Sequence, residues 1–108
     1  MISGNDNRPV CRFAVSAEGN EDVWHLYVVQ VEGRDHVLAA LHDAEIGAGV
    51  HYPVPIHLTG AYASLGCGAG SFPVAEAAAD RILSLPLHPH ITAAQQERVV
   101  DALATVLR

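Results

Sequence analysis

The chain is 108 residues long, half of them hydrophobic and only 17% charged, which excludes a disordered tail and predicts one small domain. Its formal net charge is −6, with six arginines and no lysine, so the basic face that a nucleic-acid-binding protein needs is not expected. No stretch approaches the roughly 20 apolar residues of a membrane span, and Met1–Arg12 lacks the apolar run of a signal peptide.

So apolar a composition in so short a chain predicts a surface that needs a partner. Cys11 and Cys67 stand far apart with no CxxC pair, and they read as reduced thiols of a cytoplasmic protein.

Met1–Pro9 is polar and turn-rich and reads as a flexible lead-in to a domain spanning 10–108. Val10–Val15 reads as a short strand, and Ala17–Asp22 as a loop. Trp24–Val31 is β-branched and aromatic on both faces, the pattern of a strand covered on both sides, with His25 a hydrogen-bonded core residue inside it. Gly33 ends that strand. Arg34–Ala44 then carries Val37, Leu38, Leu41 and Ala44 at helical spacing, with His36 and His42 on the solvated face.

Tyr52-Pro53-Val54-Pro55 cannot lie inside a helix, because proline lacks the N–H and clashes with the preceding turn. Ile56–Ser64 reads as a short helical piece, and Gly66–Gly70 as a glycine-rich loop. Pro73 stands at a helix start, with Val74, Ala78 and Ile82 recurring on one face. Pro86 and Pro89 bracket an extended segment, Leu85–His90. Thr92 and Gln95 have capping-box spacing, opening a last helix whose apolar face is Val99, Val100, Leu103, Val106 and Leu107. The sum is an α+β domain with two or three strands and about three helices.

A series of motifs then carries a resemblance. His51-Tyr52-Pro53-Val54-Pro55-Ile56-His57-Leu58, Ala61-Tyr62, Leu65-Gly66, Phe72-Pro73-Val74-Ala75-Glu76 and Ile82-Leu83-Ser84-Leu85-Pro86-Leu87, in that order, resemble the C-terminal portion of the DegT/DnrJ/StrS-type sugar aminotransferases. Val23–Val29 with Arg34-Asp35 resembles that family's small-domain strand and following helix. The chain departs from the pattern at Glu45, where glycine is usual, and at His88, where tyrosine or phenylalanine is usual. Glu45 is expected to alter the turn after the helix, because a non-glycine residue resists positive φ.

The resemblance implies the small domain of a fold-type I enzyme that uses pyridoxal phosphate (PLP) to move an amino group, usually from glutamate, onto a keto sugar linked to a nucleotide. It implies a dimeric enzyme with a large PLP-binding domain ahead of the small one, and that large domain is not expected within these residues. It also implies that His51, Tyr52 and His57 lie on the substrate side of the cleft.

PLP enzymes hold the cofactor as an imine on a lysine amine, and this chain has no lysine. No catalytic and no cofactor-binding residue is therefore expected within it, and alone it is expected to be inactive. It reads as a fragment or separate subunit of such an enzyme, joined to a large domain or to copies of itself through an exposed apolar face. The alternative is a non-catalytic binding or dimerisation module. Seven histidines invite a metal reading, but neither His51/His57 nor His88/His90 has the spacing of a zinc site and no metal is expected. Gly66, Gly68 and Gly70 lack the lysine and the flanking strand and helix of a phosphate loop, and read as a plain flexible loop.

Overall fold

The computed structural model describes residues 11–108. The expected lead-in at 1–9, and Val10 of the first expected strand, lie outside the described residues.

Three antiparallel strands form one sheet in the order β1 (Arg12–Phe13), β2 (Tyr27–Gln30), β3 (Ile82–Leu85). Tyr27 stands opposite Leu85 and Val29 opposite Leu83, so these side chains share one face. Against that face pack α1 (Arg34–Asp43) and α3 (Ala93–Val106). Val29, Val31, Val37, Leu41, Ile46, Ala48, Leu83, Leu103 and Leu107 make the core. A third, shorter helix, α2 (Pro73–Ala79), leads into β3. The architecture is the α+β class that the pattern predicts, and none of its described helices is long and apolar enough to cross a membrane.

Both long helices are legible in sequence. The stripe Val37, Leu38 and Leu41 buries α1, and Thr92 and Gln95 close the predicted capping box on α3: Gln95 N donates to Thr92 Oγ1, and Thr92 N donates to Gln95 Oε1. Val99, Val106 and Leu107 turn to the core as expected, but Val100 is 62% exposed.

Three expectations need correction. The strand foreseen at Trp24–Val31 pairs only over Tyr27–Gln30, because Trp24 takes a φ of 31° that an extended strand excludes. His25 consequently leaves the sheet and is exposed, not a core residue. The helix from Pro73 stops at Ala79, and Ile82 opens β3 instead of continuing the helical face. Its four-residue spacing from Ala78 imitates a helix, but pairing with Gln30 of β2 claims it for the sheet.

Arg34 fixes that break. It is 8% exposed, and its Nη1 donates to the carbonyls of Ala79 at 2.9 Å and Ile82 at 3.1 Å. The guanidinium thus satisfies the end of α2 and the start of β3 together.

The end of α1 shows what Glu45 does in glycine's place. Ile46 N donates to Leu41 O and Glu45 N to His42 O, both at 2.9 Å, which is a Schellman closure. Glu45 holds the required left-handed conformation at φ 59°. The turn therefore forms in spite of the side chain, at a conformational cost of about 1–2 kcal/mol. Glu45→Gly removes that cost but loosens the unfolded chain by about 0.5–1 kcal/mol. It is expected to raise stability by a net of about 0.5–1 kcal/mol, read as a higher urea midpoint; a lower midpoint would show that Glu45 is not strained.

Candidate functional site

The segment after α1 is fastened to the free edge of β3. Gly49 N donates to Ser84 O at 3.0 Å and Ser84 N to Gly49 O at 2.7 Å, a single bridge that stops the chain beside the sheet. Two residues on, His51 Nδ1 lies 2.9 Å from Ser84 Oγ. The imidazole passes over Gly49, where an added Cβ would stand 3.4 Å from His51 Cε1. Tyr52, joined to it by a cis peptide, sets its ring edge-on to that of His51, with centroids 5.4 Å apart. His42 Nε2 holds the turn from beneath by donating to the Ala48 carbonyl at 2.8 Å, so this histidine does more than face solvent.

His51 opens onto a cleft of about 360 Å³ that His25, Leu26, Ser84 and His88 also line. Its lining includes three imidazoles and no carboxylate. Among the described residues no group of three or more His, Cys, Asp or Glu is placed to hold a metal ion.

The third expected substrate residue lies elsewhere. His57 sits in a 3₁₀ turn, Ile56–Leu58, its side chain only 9% exposed and packed edge-on against Phe72 at 4.8 Å. Its Nε2 has no hydrogen-bond partner among the described residues and stands 3.6 Å from Glu76 Oε2. Glu76 in turn accepts from the backbone N–H groups of Gly70 and Phe72. These contacts hold the glycine-rich loop to α2 and leave the Gly70 amide committed to a carboxylate. His57 does not line the cleft of His51.

Cys11 and Cys67 are both free thiols. Burial at the sheet pushes the Cys11 thiol above its ordinary value.

The segment that follows His51 and Tyr52 is rich in exposed apolar side chains. Val54, Ile56, Leu58, Tyr62, Leu65, Phe72 and Val74 are all exposed, and neither of the 3₁₀ turns between Ile56 and Leu65 contributes a buried residue. The chemistry of an imine-forming cofactor is absent from this set, since no side chain here, nor anywhere in the 108 residues, is a lysine amine. The residues present do not fit PLP as its covalent anchor.

The sequence profile of the DegT/DnrJ/EryC1/StrS aminotransferase family matches residues 4–104. The chain belongs to that family. Among curated DegT/DnrJ/EryC1/StrS relatives, it is 46% identical over 83 residues to the erythromycin biosynthesis sensory transduction protein EryC1 of Saccharopolyspora erythraea, covering 77% of this chain and 23% of that protein. It is 41% identical over 102 residues to the dTDP-3-amino-3,4,6-trideoxy-alpha-D-glucose transaminase of Streptomyces venezuelae, covering 94% of this chain and 27% of that protein. The fold agrees with the crystal structure of S. venezuelae DesV in complex with a ketimine intermediate, at a TM-score of 0.86 and 40% identity, over 94% of this chain and 28% of that one. Solved structures similar to it include PLP and PMP forms. The chain thus spans about a quarter of the length of these relatives.

Sequence reasoning brought His51 and Tyr52 forward through their motif. It missed Ser84, 33 residues away, and Gly49, because nothing local announces that the two segments meet.

Proposed function

We propose that these residues act as the small domain of a PLP-dependent aminotransferase for nucleotide-linked keto sugars, in the cytoplasm, with lysine and cofactor supplied by a large domain on the same or a separate chain. The observation that carries this reading is the run of exposed apolar side chains between Val54 and Val74. An exposed apolar run of this kind belongs against another protein surface, and about three-quarters of the length of each relative has no counterpart here. In this reading PLP supplies the amino-group chemistry from the large domain, while His51 and Tyr52 meet the sugar nucleotide. His57 serves the turn that presents them.

The test is reconstitution. The 108-residue chain is mixed with the part of the S. venezuelae transaminase that it does not cover, and amino transfer from glutamate to a dTDP-linked keto sugar is followed. Neither part alone is expected to turn over, and the mixture is. Loss of one hydrogen bond at His51→Ala is expected to lower kcat/KM about tenfold. Turnover by this chain alone, or no complex between the two parts, would overturn the reading.

One observation favours a second reading, a non-catalytic dimerisation module. Trp24, Tyr27, Leu87, Val99 and Val100 line a separate apolar groove of about 410 Å³ at α3. A homodimer that persists in sedimentation with the large domain in excess, and that Val100→Asp dissociates, would select it.

A further inference from the structure

The hydrogen bond between Ser84 and His51 has a direction that the surroundings decide. Ser84 is 5% exposed, and both its backbone groups are spent on Gly49. Among the described residues its hydroxyl has one partner, His51 Nδ1 at 2.9 Å. If Nδ1 carried the proton and donated, the hydroxyl's own hydrogen would have no acceptor among the described residues. If the hydroxyl donates to Nδ1, no donor is orphaned, and only a lone pair goes unused. The second arrangement wins, because an unpaired buried donor is the costlier defect.

We infer that Ser84 is a positioning residue that fixes the neutral His51 ring with its proton on Nε2. Nδ1 is occupied by the Ser84 hydroxyl, and the ring is held over Gly49 and edge-on to Tyr52. Nε2 has no protein partner among the described residues, and His51 is an exposed residue that lines the cleft. It is therefore the nitrogen that His51 offers to the cleft, and it offers a donor. His51 in its neutral form presents an N–H to an acceptor oxygen, and does not act as a base that removes a proton through Nε2. The cleft is thus suited at this point to a carbonyl, hydroxyl or phosphate oxygen that accepts.

The significance for catalysis rests on the proposed function, but the tautomer itself does not, so the two are tested apart. The 108-residue chain is labelled with ¹⁵N, and long-range ¹H–¹⁵N spectra are recorded at about pH 8.5, two units above the ordinary imidazole value. His51→Ala identifies the signals. In the unaltered chain His51 is expected to show a protonated-type Nε2 and an unprotonated-type Nδ1. In Ser84→Ala both shifts are expected to move towards the average of the two tautomers, and in Ser84→Thr, which keeps the hydroxyl, they are expected to return. Amide spectra check that each variant is folded.

A protonated Nδ1 in the unaltered chain would overturn the inference, with no variant needed. So would a folded Ser84→Ala with unchanged His51 shifts. Neither result touches the substrate reading. Conversely, the expected spectra combined with an undiminished kcat/KM for His51→Ala in the reconstituted enzyme would sink the substrate reading and leave the tautomer standing.

Discussion

Replacing Leu83 with alanine is expected to remove about 3–4 kcal/mol of unfolding free energy. Leu83 is 0% exposed and stands on β3 directly opposite Val29, under Leu41, Leu103 and Leu107. Truncation forfeits the transfer of three carbon atoms and opens a cavity whose walls come from the sheet and both long helices. Those walls cannot all move inward at once, so little of the loss is recovered by relaxation. For a small domain with a total stability of about 5–15 kcal/mol, that is a large share. Urea unfolding checks it: the midpoint should fall with the slope unchanged. Val74→Ala, at a site 83% exposed, provides the contrast and should shift the midpoint hardly at all. A loss below about 1 kcal/mol for Leu83→Ala would mean that the site collapses freely.

Arg34→Met is expected to cost about 2–4 kcal/mol, because it leaves two carbonyls without the charged donor they share. Those carbonyls, Ala79 and Ile82, lie where α2 gives way to β3. Methionine keeps much of the buried volume, so the effect reports on the lost donor rather than on a cavity. Arg34→Lys should recover only part of the loss, since a single ammonium on a shorter stem lacks the fixed fork of the guanidinium. The neighbouring contact of Arg34 Nε with Asp35 at 2.7 Å is a different matter. Asp35 is 90% exposed, and such a pair contributes about 0–1 kcal/mol. Asp35→Asn is the control. If it matches Arg34→Met in urea unfolding, the surface ion pair and not the carbonyl contacts carries the stability.

What could be seen in the sequence follows from range. The α1 stripe and the α3 cap are written in residues three and four apart, and both formed as expected. The Pro73 helix began where proline allows but ended early, because the competing claim on Ile82 comes from Gln30, far back in the chain. Trp24 and His25 misled for a related reason. Their aromatic character fits a strand, but the turn at Trp24 sets where pairing begins. At the site, the His51-Tyr52 motif carried the resemblance that brought those residues forward. The same motif grouped His57 with them, although its side chain turns inward to Phe72 and Glu76. The hydroxyl that orients His51 and the guanidinium that ends α2 both act across more than 30 residues. No local pattern encodes either.

The sheet also has a bearing on how the domain behaves at high concentration. Unpaired strand edges invite a neighbour's backbone and so seed aggregation. Here one outer strand, Arg12–Phe13, is only two residues long, and the opposite edge is interrupted at Ser84 by the Gly49 bridge. An intruding strand finds no uninterrupted row of donors and acceptors on either side. Association of this domain is therefore left to its side chains, and fibre growth by strand addition is blocked at the geometry of the edges themselves.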